Sequence, residues 1–200
     1  RGVLRARFEV STKIVGLGPG LDRETKVLNR MVRVDEEGWY YEADQRHGEI
    51  IVRTLGMEGA KGAATPGEDE KPWKEEEGKE QLRGAEATGY RALAARANYL
   101  ALDTPDIQFA VKELCRCMAN PARADLLKLR RLARYLIDRP RVVMEYKFQG
   151  EESEVRGYSD SDWAGCRRTA KSTSGGVMLR GTHYLKSWSS TQKNITLSSG

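Results

Sequence analysis

From residue 89 onward apolar residues change their spacing once, and the change falls at Pro140. Before it they recur every three to four positions, the period of a helix face; after it they alternate, the period of a half-buried strand. Tyr90, Leu93, Ala94, Ala97, Leu100 and Ala101 mark one helix. Asp103-Thr104-Pro105 breaks it, with Thr104 as cap and Pro105 in the first turn of the next helix. That helix carries Ile107, Ala110, Val111, Leu114 and Met118, and Asn120-Pro121 ends it. A third spans 122–138 and buries Leu126, Leu129, Leu132, Ala133 and Leu136. From residue 141 the alternation predicts an antiparallel meander of three or four strands, over 143–148, 155–160, 175–180 and 182–188. Turns fall at Gly150, Ala164-Gly165 and Gly181.

The N-terminal third is mixed. Two β-rich runs, 26–34 and Trp39-Tyr40-Tyr41, flank the acidic turn Asp35-Glu36-Glu37-Gly38 and predict a hairpin. Asp44 is placed to cap a helix over 45–55, which Gly56 stops. Gly59, Gly62 and Pro66 keep the next stretch open. Residues 67–88 hold eight acids against four bases, Pro72 and few apolar side chains besides Trp73, the composition of a linker. The fold class is α+β. Its expected parts are 1–66, an acidic linker 67–88, a helical segment 89–140 and a β segment 141–200.

Net charge is +5, and the positive charge is concentrated at 89–148, with twelve bases against six acids. Nucleic acid is therefore an allowed partner. No apolar run approaches the roughly 18 residues of a membrane span. Three cysteines, Cys115, Cys117 and Cys166, make no disulfide framework and suit a reducing intracellular setting. His47 and His183 are the only histidines, too few and too scattered for a zinc set. The first residues carry neither an initiator Met nor a signal-peptide core, so the chain reads as starting within a longer frame.

Two stretches carry chemistry. In Gly157-Tyr158-Ser159-Asp160-Ser161-Asp162-Trp163-Ala164-Gly165, Asp160 and Asp162 stand two apart at a strand end, a spacing that points side chains to one face. Such a pair is able to hold a divalent cation. The same residues also suit an Asp-rich turn, each carboxylate capping local amides. On the third helix, Arg123, Lys128, Arg130, Arg131 and Arg134 form a basic face that either tracks phosphates or is simply solvated. Tyr135 and Trp163 are aromatic enough to stack on bases or sugars, or to pack in a core. Ser189, Ser190, Ser198 and Ser199 lack the Gly-x-Ser-x-Gly elbow, and the glycines from Gly16 to Gly20 lack a following Lys-Ser/Thr.

The acidic string, followed by Arg168, Ser172-Thr173-Ser174-Gly175 and Trp188-Ser189-Ser190 with Gln192, closely resembles the opening of the ribonuclease H domain in copia-type retrotransposon polyproteins. Upstream, Tyr90-Arg91-Ala92-Leu93, Asn98-Tyr99-Leu100, Thr104-Pro105-Asp106-Ile107, Ala110-Val111 and Leu132-Ala133-Arg134-Tyr135-Leu136 match the same family. Trp39-Tyr40-Tyr41, Gln45, Leu55-Gly56-Met57 and Thr65-Pro66 match it more loosely. Ala94-Ala95-Arg96 and the long 67–88 insert depart from it. The resemblance implies the C-terminal part of a reverse transcriptase, with a thumb or connection segment at 89–140, leading into the N-terminal half of a ribonuclease H-like fold at 141–200. It implies that Asp160 is a catalytic, metal-binding carboxylate, with Asp162 a supporting metal position. Mg²⁺ is the implied ion, in the complete domain only. RNA–DNA hybrid and the remainder of the polyprotein are the implied partners. The family's Y-x-D-D box and its next acidic box, E-A-E-Y, are not in this sequence, so the resemblance implies no cleavage by this chain alone. The alternative expectation is a non-catalytic nucleic-acid-binding module that uses the helix at 122–138.

Overall fold

A computed structural model of the chain describes residues 6–9, 11–68, 77–151, 154–166 and 169–195. The middle of the acidic linker with Trp73, Arg168, and the C-terminal Ser198 and Ser199 lie outside the described residues. The architecture is α+β, with a helical layer and two antiparallel sheets.

Among the described residues four α-helices build the core: α1 (Arg46–Thr54), α2 (Gly84–Leu100), α3 (Gln108–Arg116) and α4 (Arg123–Asp138). Their apolar stripes meet at Ile51, Ala94, Ile107, Leu129, Leu132 and Ala133, all fully buried. Ala94 and Ala97 let α2 approach its neighbours closely. Tyr90 joins them, its hydroxyl donating to the Leu114 carbonyl at 2.8 Å. Burying a phenol needs such a partner.

Two local outcomes differ from expectation. The linker is ordered at its C-terminal end, where Leu82 is buried, its amide donates to the Pro121 carbonyl, and α2 has begun by Gly84. Its one large aliphatic side chain and its backbone pairing outweigh the surrounding charge. Thr104 gives no side-chain cap; Pro105–Ile107 form a 3-10 turn, and α3 starts after it at Gln108. At α1, by contrast, Asp44 does accept the Arg46 amide at 3.2 Å.

The first sheet runs β1 (Glu24–Val27), β2 (Arg30–Val34), β3 (Gly38–Glu42), β4 (Val143–Lys147) in that spatial order. The run at 26–34 is therefore split. Leu28 and Asn29 have φ of 49° and 65°, the paired left-handed residues of a tight hairpin. Leucine is a poor signal for that turn, which hides it in the sequence. The strand at 143–147 also departs from the expected meander. It pairs with β3, setting Met144 against Tyr41 and Tyr146 against Trp39. Aromatic cross-strand pairing and the Arg141–Glu42 ion pair, at 2.6 Å, favour this partner.

The second sheet is the rest of the meander: β5 (Val155–Ser161), β6 (Thr173–Arg180), β7 (His183–Thr191), with β6 central. Gly176 faces Trp188 across the ladder, and a Cβ there would run into the indole ring. The sheet docks on α3 through Gln108, Lys112 and Arg116, spaced one helical turn apart. Gln108 accepts from Ser187 at 2.9 Å, and Lys112 donates to the Thr173 hydroxyl at 2.7 Å. Arg116 donates to Cys166 Sγ at 3.0 Å and to Thr169 Oγ1 at 3.4 Å.

Candidate nucleic-acid interface

Between α4 and the β5–β6 connection lies a cavity of about 470 Å³. One wall is basic, made of Lys128, Arg130, Arg131 and Arg134. The other is formed by Asp162, Gly165, Cys166 and Thr173, with Phe109 and Glu113 of α3 between them. Two stretches singled out separately in the sequence thus share one concave surface. Arg123 stands apart at the start of α4, 3.8 Å from Glu86.

The basic face divides by role. Arg134 donates to the carbonyls of Lys61 and Gly62 at 2.7 and 3.3 Å. Arg131 pairs with Glu68 and donates to Thr65 Oγ1 at 2.8 Å. These two clamp the 61–68 segment onto α4. Arg130 is exposed and lines the cavity.

The two aspartates divide as well. Asp162 lines the cavity, and its Oδ1 accepts the amides of Gly165 at 3.2 Å and Thr173 at 2.8 Å. It forms the turn that was the alternative reading of its spacing. Asp160 sits opposite Gly175 at the end of β5, exposed, with Oδ1 accepting the adjacent Ser161 amide at 2.9 Å. It does not line the cavity. Among the described residues no three His, Cys, Asp or Glu side chains group as a cation site. Mg²⁺ retains waters and is commonly held by one or two carboxylates plus phosphate oxygens. Asp160 fits as one such donor, but the described residues do not furnish a two-metal centre.

The residues that sequence reasoning missed are those of α3. Burial pushes the Glu113 carboxyl up, but Lys112 at 2.9 Å and Arg116 at 3.0 Å outweigh it and hold the group below the usual carboxylate range. Burial likewise raises the Cys166 thiol, and hydrogen bonds from Thr169 and Arg116 bring it below its ordinary value. Polar residues at 108, 112 and 116 mark a second face of α3, opposite the apolar stripe at Ala110, Val111 and Leu114. That spacing was the available signal. Tyr135 is buried and donates to Asp106, a core role, whereas Trp163 is exposed. His183 meets the Lys147 carbonyl at 2.7 Å.

This is an α+β chain with a cationic helix face turned toward the β5–β6 connection that carries Asp162. It is 38% identical over 113 residues to the retrovirus-related Pol polyprotein from transposon RE1 of Arabidopsis thaliana, a match covering 56% of this chain and 8% of that protein. The polyprotein from transposon RE2 of the same plant is 36% identical over 113 residues, with 56% and 8% covered. An uncharacterized mitochondrial protein of Arabidopsis thaliana is 30% identical over 146 residues, 72% of this chain and 58% of that protein. No family model matches the chain, and no solved structure matches it. The chain is thus similar to retrovirus-related Pol polyproteins of transposons over about half its length, consistent with the copia-type resemblance of its motifs. It spans 8% of the length of the two transposon polyproteins. No helix among the described residues is long and apolar enough to cross a membrane.

Proposed function

We propose that this chain contributes a nucleic-acid contact surface to a Pol polyprotein that copies RNA into DNA and removes the RNA strand from the resulting hybrid. The observation that carries the reading is the shared cavity, which sets Lys128 and Arg130 across from the β5–β6 connection. Cations on a helix face attract phosphates, and each phosphate neutralised releases counterions. These contacts position a duplex without reading its sequence. Asp160, at the strand end beside that surface, is the described carboxylate best placed to join a Mg²⁺ site. The ion, when bound with the scissile phosphate, would supply Lewis-acid activation of hydrolysis. The three-stranded order β5-β6-β7 is compatible with the opening of a ribonuclease H-like sheet.

A second reading is binding without cleavage. Its specific support is the commitment of Asp162 to backbone amides and the lack of a third acidic partner among the described residues.

Both readings are tested with a labelled RNA–DNA hybrid at several salt concentrations, comparing the chain with Lys128→Ala and Arg130→Ala. Each lost phosphate contact is expected to lower the magnitude of the log–log salt slope by about 0.9 and to weaken binding. Unchanged affinity and slope in both variants would remove the basic helix from the account. No cleavage by this chain alone is expected under either reading; Mg²⁺-strengthened hybrid binding that is lost in Asp160→Asn favours the first, and binding indifferent to Mg²⁺ and to Asp160 favours the second.

A further inference from the structure

The connection between β5 and β6 is fixed from inside and outside. Inside, Asp162 gathers the Gly165 and Thr173 amides, and the Ala164 amide donates at 3.1 Å to the hydroxyl of Ser172. Ser172 is only 2% exposed. Ala164 is held at φ 51°, a left-handed conformation that crowds an alanine Cβ against the backbone. Outside, α3 grips the connection at Thr173 through Lys112 and at Cys166 and Thr169 through Arg116.

Trp163 stands at the centre of this turn, and it is 62% exposed. An indole left in water forgoes the burial that aromatic rings ordinarily gain. Left-handed strain at a non-glycine residue persists where its surroundings over-determine it, and such strain clusters at ligand-contacting sites. The neighbours of Trp163 say which ligand. Asp162 and Gly165, flanking it, line the cavity whose opposite wall carries Lys128 and Arg130. Asp162's charge is turned partly inward onto two amides. Trp163 itself does not line that cavity; an exposed ring on the turn that walls a cation-lined cavity suits a single strand, whose bases stack on the ring while its phosphates meet the cations.

We propose that Trp163 is a stacking residue for an unpaired nucleobase of a strand held on the α4 cations. The proposal rests on the nucleic-acid reading above and adds to it an aromatic, single-strand contact. Neither the β5–β6 grip nor the basic face alone requires it.

The test uses the full chain with labelled oligothymidylate and, in parallel, a blunt RNA–DNA hybrid. Trp163→Ala is expected to weaken oligothymidylate binding by about tenfold or more, within the range of one lost base stack. Trp163→Phe, which keeps a ring, is expected to retain most of the affinity. The salt slope stays unchanged in both, since no phosphate contact is lost. The emission difference between the chain and Trp163→Phe isolates this indole, and it is expected to be quenched on binding. Equal affinity of all three proteins for oligothymidylate overturns the proposal, while weakened hybrid binding by Lys128→Ala and Arg130→Ala would keep the underlying reading. Absence of binding to either probe overturns both. Loss of self-association in Trp163→Ala, with nucleic-acid binding untouched, assigns the ring to a protein contact and overturns the proposal.

Discussion

Asp162 shows how a single oxygen decides between two readings of one motif. Its Oδ1 accepts two amides that close the β5–β6 turn, a job an amide oxygen does equally well. Asp162→Asn is therefore expected to leave thermal stability nearly unchanged. Asp162→Ala strands both donors and is expected to cost about 1 kcal/mol or somewhat more. A metal-holding role would order the variants differently, with the asparagine variant losing cation affinity as severely as the alanine one. Calorimetry with and without Mg²⁺ separates the two. The sequence made Asp160 and Asp162 visible as a pair, because two-residue spacing is a strand signal. Their division of labour was not visible, since it depends on where Thr173 and Gly165 bring their amides. For Trp163 the sequence favoured packing over stacking; the turn that exposes it is made by Ser172, buried nine residues further along the chain.

At the scale of elements, α3 carries the largest gap between sequence and structure. Its apolar face was legible from Val111 and Leu114 at helical spacing. Its polar face was not, because Gln108, Lys112 and Arg116 acquire meaning only once β6 and β7 lie against them. The same holds for β4. Alternation at 143–147 marked a strand, yet the choice of β3 as its partner is tertiary, made by Trp39 and Tyr41. The α3 ion cluster and the start of α1 share a pH signature. Glu113 is held below its ordinary 4.5, Asp44 below 3.8 through Arg46, and His47 below 6.5 through burial. In each case the unfolded chain binds protons more readily, so stability rises with pH. These contributions are fully present above the unfolded values and are lost as pH falls through the folded ones. The thermal midpoint is expected to decline once pH drops below 6.5, where His47 begins to act, and to fall further below 4.5, where Glu113 does. Glu113→Gln is expected to flatten the lower part of that decline. A midpoint that climbs on acidification would contradict the assignment.

For the molecule as a whole, the α+β class and the three principal helices followed from the change of period at Pro140. What no local pattern displayed was the meeting of α4 with the β5–β6 connection around one cavity. That meeting depends on α3 acting as a spacer with two faces, apolar toward α2 and α4 and polar toward the second sheet. Joint use of the two walls is the central claim. Hydrogen–deuterium exchange of the chain, with and without a saturating RNA–DNA hybrid, reads both walls at once. The account predicts slowed exchange in residues 162–173 together with the exposed flank of α4 around Arg130. Protection confined to one wall, or spread evenly over surfaces remote from the cavity, would contradict it.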